Sequence, residues 1–131
     1  MTITPIYAAL LGLLFLALSV NVVRTRRAIR VSLGAGDDPL LERRIRAHGN
    51  FAEYTPIALI LIAFVETTGG APAIVHGLGL ALLVARLMHG IALSSLTLRP
   101  VFRTGGMVLT FAVVAVAAID LLRDGAIPAA T

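Results

Sequence analysis

Four long stretches without a charged side chain constrain this chain more than any other feature of its sequence. They cover residues 1–23, 54–65, 67–85 and 104–119. A helix that crosses the hydrocarbon core of a membrane needs about 20 mostly apolar residues, and the stretches reach that length once their flanks are included. Only 14% of the residues are charged and 58% are hydrophobic. The sequence therefore predicts an integral membrane protein and not a soluble domain.

Each uncharged stretch, read with its flanks, predicts one transmembrane helix. The four helices are expected over about residues 4–24, 46–66, 72–95 and 104–122. The predicted fold class is an all-α, integral membrane four-helix bundle, formed as a single domain over residues 1–131. Because the links are short, helices 1 and 2 are expected to be antiparallel neighbours, as are helices 3 and 4. Asp37 or Asp38 is expected to cap the helix that follows the first link.

The arginines predict the orientation of the bundle. Seven lie in or at the edge of the link between helices 1 and 2, and two lie between helices 3 and 4. Short arginine-rich links stay on the cytoplasmic side of a membrane, so both termini are expected on the other side. A cleaved signal peptide is the alternative interpretation of the first stretch, but no positive region precedes that stretch and the arginines follow it.

Composition also excludes several classes of function. The net charge is +4, yet the arginines are concentrated in short links and no soluble domain could carry a nucleic-acid groove, so no nucleic-acid partner is expected. The chain has no cysteine, so any thiol chemistry must use a thiol from outside. No pair of histidines or carboxylates has a spacing typical of metal ligands, and no metal is expected.

Polar side chains enter the cytoplasmic half of predicted helix 2. Arg46, Asn50 and Glu53 stand at positions i, i+4 and i+7, and Tyr54 follows Asn50 by one turn. This spacing places the first three on one face of the helix. Ionisable groups at such depth are costly and usually face a partner or a water-filled cavity. The stripe therefore indicates a polar contact or a binding site inside the membrane.

Predicted helix 3 offers a partner for Glu53. Arg86 is an isolated charge in an apolar run, and His89 follows it on the same face. One interpretation is a purely structural ion pair between Glu53 and Arg86, and the other is a pair that also lines a ligand site. His76 is interpreted as an interface or packing histidine. Small residues allow close helix contacts in membranes, and those expected to do so here are Gly77, Gly79 and Gly90.

The segment "ERRIRAHGNFAEYTP" resembles the helix 2 signature of the MAPEG family, the membrane-associated proteins of eicosanoid and glutathione metabolism, with its R-x-x-x-N-x-x-E-Y spacing. The resemblance covers nearly the whole chain and includes "RTRRAIRV", "ARLMHGIALS" and "LRPVFRT". The chain resembles a bacterial-type member of this family that is similar to the microsomal glutathione transferases and prostaglandin E synthases. It implies a protein of the bacterial inner membrane that assembles as a homotrimer and binds glutathione between neighbouring subunits near the cytoplasmic face.

The resemblance also implies roles for single residues. The helix 2 positions that hold glutathione in the family's prostaglandin E and leukotriene C synthases are matched here by Arg46, Asn50, Glu53 and Tyr54. Arg26 or Arg27 matches an arginine of helix 1 that reaches in from the adjacent subunit. Arg86 and His89 match an arginine and a histidine of helix 3.

Two arginines compete for the position beside the thiol. Arg103, followed by Thr104, matches the arginine and serine of the prostaglandin synthase, and Arg99 matches if the loop aligns differently. The sequence also departs from the family pattern, because Leu93 stands where the eicosanoid enzymes often carry a tyrosine.

Charge chemistry makes a membrane glutathione transferase a sensible expectation. Arginines bind carboxylates in a bidentate manner, a glutamate can accept an ammonium group, and a guanidinium lowers the pKa of a nearby thiol. A thiolate so formed would attack a lipophilic electrophile from the bilayer, or reduce a lipid hydroperoxide as a peroxidase. The alternative is a non-enzymatic scaffold or lipid-binding protein of the same fold. The presence of Arg46, Asn50 and Glu53 favours the enzyme.

Overall fold

The structure, a computed structural model, describes residues 1–94, 96–97 and 99–126. Its four helices are α1 (Thr4–Ile29), α2 (Pro39–Thr67), α3 (Pro72–Leu93) and α4 (Pro100–Ala126). Each of them is long and apolar enough to cross a membrane. The prediction of an all-α chain with four membrane-spanning helices is therefore confirmed.

The helices extend past most of their predicted ends. The observed bounds lie beyond the uncharged windows at Ile29, Pro39, Pro100 and Ala126. The predicted end of helix 3, at residue 95, lies outside the described residues. An uncharged window marks only the part of a helix that suits lipid, whereas capping decides where the helix begins. At α2 the cap is Asp38, whose carboxylate accepts a hydrogen bond from the backbone N–H of Leu41 at 2.6 Å.

α1 takes its N-terminal cap from another helix. Both oxygens of Glu66, in the last turn of α2, accept hydrogen bonds from backbone N–H groups of Thr2, Ile3 and Thr4, the latter two at 2.8 and 2.7 Å. A carboxylate at this position satisfies free N–H groups and interacts favourably with the helix dipole. Glu66 therefore fixes the start of α1 against the end of α2.

α2 and α3 form the centre of the bundle. α1 and α4 each pack on both of them, and no contact joins α1 to α4 within the described helices. The predicted pairing of neighbours, 1 with 2 and 3 with 4, is confirmed by these contacts. Side chains that fill the core include Leu11, Ile62, Val75, Leu82 and Val113. The outer faces stay apolar, as lipid requires, with exposed Leu13, Phe64, Leu80 and Phe111.

The glycines of α3 differ in what they contact. The face of Gly79 lies against the ring of Tyr7, which leaves no room for a side chain. The Tyr7 hydroxyl lies within hydrogen-bonding distance of His76 Nδ1, at 3.1 Å, so His76 contacts α1 within the protomer although it stays exposed; a role of His76 at a subunit interface stays a prediction. Gly90 makes an ordinary contact with Leu18, but Gly77 has open space beside it, so Gly77 makes no close helix contact within the described protomer.

A close approach of α4 to α3 occurs at Gly106, a residue that was not among the predicted packing glycines. A Cβ atom added there would lie 2.6 Å from the carbonyl oxygen of Ala85 and 3.0 Å from the backbone nitrogen of His89. Only a residue without a side chain permits this contact. Gly106 therefore holds the first turns of α4 against the last turns of α3.

Candidate functional site

A cavity of about 650 Å³ lies at the arginine-rich end of the bundle, between α2, α3 and α4. Its volume falls within the range of small-molecule binding sites. The residues that line this first cavity are Glu42, Arg43, Ile45, Arg46, Gly49, Asn50, Glu53, His89, Leu93 and Arg103. Five predicted site residues therefore lie together: Arg46, Asn50, Glu53, His89 and Arg103.

α2 provides one continuous wall of the first cavity. The lining positions recur every three or four residues from Glu42 to Glu53, which is the spacing of one helical face over about three turns. Asp38 starts the helix early enough for Glu42 and Arg43 to belong to that face. Neither residue was predicted, because helix 2 was expected to begin at residue 46, although both continue the same periodicity one turn upstream.

α3 and α4 provide the opposite wall. His89 and Leu93 lie one turn apart on α3, and Arg103 belongs to the first turn of α4. Gly106, one turn after Arg103, draws this part of α4 close to His89. Leu93 gives an apolar surface at the position where the family's eicosanoid enzymes often carry a tyrosine.

The first cavity carries charges of both signs. Three arginines and two glutamates line it, so its formal charge is positive but small. Arg46, Glu53 and Arg103 are exposed and can reach a ligand. Among the described residues, no group of three acidic or histidine side chains could hold a metal ion. This arrangement suits a small polar ligand that itself carries both carboxylate and ammonium groups.

Arg86 lies behind the cavity wall that α3 and α4 form, and it is only 1% exposed. Its Nη1 donates to Asn50 Oδ1 at 2.9 Å, and its Nη2 donates to Thr110 Oγ1 at 2.5 Å and to the Gly106 carbonyl at 3.5 Å. Because a guanidinium only donates, the oxygen of Asn50 must face Arg86, which leaves the amide NH₂ of Asn50 as a donor. Arg86 thus links three helices and orients Asn50.

The predicted ion pair between Glu53 and Arg86 is wrong for the protomer. The hydrogen bonds of Arg86 to described residues go to neutral groups, and Glu53 is exposed on the cavity wall. Three residues correspond to about 300° of helical rotation, so Glu53 lies about 60° around α2 from Asn50. When Asn50 faces Arg86, Glu53 turns away from it.

The remaining predicted residues lie outside the first cavity in the protomer. Arg26 Nη1 donates to the carbonyl of Gly34 at 2.7 Å, in the link after α1, and Arg27 is exposed. The ring of Tyr54 packs on Phe111 of α4, with the centroids 5.5 Å apart. Arg26 and Arg27 were expected to act on a neighbouring subunit, and that expectation stays a prediction.

Arg99 lines a second cavity, of about 250 Å³, next to the first. Arg43, Leu93 and Arg103 line both. The structure therefore separates the two arginines that were alternative candidates for the position beside the thiol. Arg103 borders the first cavity, whereas Arg99 borders only the second.

Arg43 and Arg44 connect the start of α2 to its neighbours. Arg43 Nη2 donates to the carbonyl of Ala92, in the last turn of α3, at 2.7 Å and to the carbonyl of Thr97, after the end of α3, at 3.4 Å. Arg44 Nη1 donates to Thr25 Oγ1 of α1 at 2.5 Å. Cations are favourable at a helix C-terminus. These contacts hold the arginine-rich end of the bundle together around the first cavity.

Comparison with known proteins identifies the family of this chain. The chain is 44% identical over 87 residues to inner membrane protein YecN of Escherichia coli (strain K12), and equally so to the protein of that name from Escherichia coli O6:H1 (strain CFT073). The aligned part covers 66% of this chain and 66% of each relative. The model of the MAPEG family matches residues 4–123, from the first residue of α1 to the last turns of α4. The chain therefore belongs to the MAPEG family.

Proposed function

We propose that this protein is a membrane glutathione transferase and that glutathione binds in the first cavity. The observation that carries the proposal is the convergence of Arg46, Asn50, Glu53, His89 and Arg103 on one cavity of mixed charge. Membership of a family named for glutathione metabolism supports it. Peroxidase activity toward lipid hydroperoxides would use the same site.

The charges of the first cavity complement those of glutathione, which carries two carboxylates, one ammonium and a thiol. Arg43, Arg46 and Arg103 offer three guanidinium groups, enough for both carboxylates and for a negative sulfur. Glu42 and Glu53 offer acceptors for the ammonium. A purely basic cavity would leave that ammonium without a partner.

Arg103 is the residue that we assign to the sulfur. Glutathione, when bound, supplies the nucleophilic thiol. Arg103 stabilises negative charge at that position, aided by its place in the first turn of α4, where the helix dipole is positive. Ile45 and Leu93 form an apolar part of the wall, against which a lipophilic electrophile can lie.

The depth of the first cavity suits a reaction between a polar thiol and an apolar substrate. α2 has 29 residues and, at a rise of about 1.5 Å each, is about 43 Å long, whereas the hydrocarbon core is about 30 Å thick. Its charged first turns therefore extend into the interface. Glu53, 14 residues from either end of α2, lies within the hydrocarbon region.

We also propose a homotrimer in the bacterial inner membrane, as the family resemblance implies, and the exposure of Glu53 supports a contact between subunits. Glu53 is exposed in the protomer at a depth where a charge in contact with lipid is costly. A neighbouring subunit would cover it and could bring Arg26 or Arg27 to the first cavity. The inner membrane is the location that the names of the two relatives state for those proteins.

Calorimetric titration of glutathione into the detergent-solubilised protein tests the proposal. Wild type is expected to bind, Arg46→Leu to bind at least about ten-fold more weakly, and Arg24→Leu to bind as wild type, because Arg24 is an exposed arginine of α1 outside the cavity. Conjugation with chlorodinitrobenzene then measures activity. A folded protein that binds no glutathione would contradict the proposal and leave the non-enzymatic scaffold.

A further inference from the structure

The second cavity differs from the first in the charges that line it. Its wall consists of Arg43, Arg99 and Arg103 together with Ala92, Leu93 and Pro100. It has three guanidinium groups and no carboxylate among its described lining residues, whereas the first cavity has two glutamates. A cavity of this kind selects an anion and offers no partner to an ammonium group.

Two further features favour an anion at this place. Pro100 begins α4, so the positive end of that helix borders the second cavity. Arg43 uses Nη2 for the carbonyls of Ala92 and Thr97, and its Nε is buried without a hydrogen-bond partner in the described part of the chain. The fixed side chain thus presents positive charge that no described acidic residue of this cavity neutralises.

The depth of the second cavity identifies the kind of anion. α3 has 22 residues and is about 33 Å long at a rise of about 1.5 Å each, close to the thickness of the hydrocarbon core. The end of α3 at Leu93 and the start of α4 at Pro100 therefore lie at the boundary between acyl chains and headgroups. Phosphate groups of phospholipids occupy that level of a membrane.

We infer that the second cavity binds the headgroup phosphate of an anionic phospholipid. The guanidinium groups of Arg99, Arg103 and Arg43 surround the phosphate. Ala92, Leu93 and Pro100 contact the lipid's acyl chains next to the glycerol. Basic pockets between transmembrane helices on the cytoplasmic side of a membrane bind anionic lipid headgroups in this way. Arg43 and Arg103 line both cavities, whereas Arg99, Pro100 and Ala92 line only the second. The inference therefore stands on Arg99 if the proposed enzymatic function fails.

Native mass spectrometry of the complete protein in mild detergent tests this site. Wild type is expected to retain phosphatidylglycerol in preference to phosphatidylcholine by about five-fold or more. Arg99→Gln is expected to remove most of that preference, whereas Arg24→Gln, which removes an equal charge from the exposed end of α1, should keep it. The comparison of the two lipids on wild type needs no variant and stands even if a variant folds poorly.

Three results would overturn the inference. Equal retention of the two lipids would show that the cavity does not select an anion. An equal loss in Arg99→Gln and Arg24→Gln would show a diffuse effect of positive charge. Displacement of phosphatidylglycerol by millimolar inorganic phosphate, or by millimolar glutathione, would show that a free anion occupies the cavity or that it is part of the first one. Persistence of the lipid against both would support the assignment.

Discussion

Arg86 carries a charge into the interior of the protomer without a described acidic partner. Its neighbours are the side-chain oxygens of Asn50 and Thr110 and the carbonyl of Gly106. Hydrogen bonds from a charged donor are stronger than neutral ones, and three acceptors spread the charge over α2 and α4. The amide of Asn50 is thereby held on the wall of the first cavity, so Arg86 positions a binding residue and leaves Glu53 available.

Glu53→Gln is expected to weaken glutathione binding without affecting the fold. Glu53 lines the cavity wall and makes no ion pair with a described residue of the protomer, so replacing its charge should raise the Kd for glutathione by about ten-fold and lower the free energy of unfolding by less than the about 3–5 kcal/mol expected for a broken buried ion pair. Calorimetry and thermal unfolding in detergent measure the two quantities. Asp120→Asn, outside the first cavity, is the matched control. A lower free energy of unfolding with an unchanged Kd for glutathione would indicate that Glu53 has a structural role instead.

Arg103→Leu is expected to slow conjugation more than it weakens binding. A guanidinium that stabilises the negative sulfur acts mainly on the reacting form, so the rate with chlorodinitrobenzene should fall by about ten-fold or more while the Kd for glutathione changes by only a few-fold. The pH profile of the rate should move to higher pH, because the thiol loses the cation that lowers its pKa. If Arg99→Leu abolishes conjugation and Arg103→Leu does not, Arg99 is the activating residue.

The sequence predicted the members of the site better than their contacts. Arg46, Asn50 and Glu53 share a face because a helical repeat fixes directions along one element. The partner of Arg86 depends on how α2 and α4 rotate against α3, which no local pattern specifies. Thr110 gave no signal because a single hydroxyl in an apolar helix usually bonds to its own backbone, as Thr110 also does to the Gly106 carbonyl.

At the scale of the elements, hydropathy predicts which segments are helical but not where each helix begins. Asp38 starts α2 seven residues before its predicted start, because N-terminal capping operates in the interface where charged residues are tolerated. This early start adds Glu42 and Arg43 to the wall of the first cavity. The close contact of α4 with α3 at Gly106 was not predicted, since the sequence alone does not show which glycine faces a neighbouring helix.

The glycines of α3 and α4 permit a matched test of that contact. Gly106→Ala places a methyl group 2.6 Å from the Ala85 carbonyl oxygen, so α4 must move away from α3, and the free energy of unfolding should fall by about 1–3 kcal/mol. Gly77→Ala meets no atom within 4 Å and should leave stability unchanged or raise it by up to about 1 kcal/mol. Thermal unfolding in detergent compares them. Equal stability of the two variants would contradict the close contact at Gly106.

At the scale of the whole molecule, the outer surface indicates what surrounds the protomer. Most of each membrane-spanning helix faces outward, even in α3, where only 44% of the most apolar window is buried. Lipid can cover the apolar part of this surface, but Glu53 needs another cover. Another subunit would provide that cover, and the resemblance to the MAPEG family implies three subunits, so native mass spectrometry should detect three copies of the 13.7 kDa chain in mild detergent. A spectrum that contains only monomers would count against the trimer.

The orientation in the membrane can be tested directly because the chain contains no cysteine. Ser32, in the link between α1 and α2, and Ala71, before α3, are both exposed and lie at opposite ends of the bundle. The arginines predict that the end carrying Ser32 faces the cytosol. The experiment uses intact cells whose outer membrane lets the reagent pass and whose inner membrane does not. A membrane-impermeant maleimide should label Ala71→Cys in these cells and should label Ser32→Cys only after the inner membrane is permeabilised. The opposite pattern would reverse the orientation and place the first cavity, which opens at the same end as Ser32, away from cytosolic glutathione.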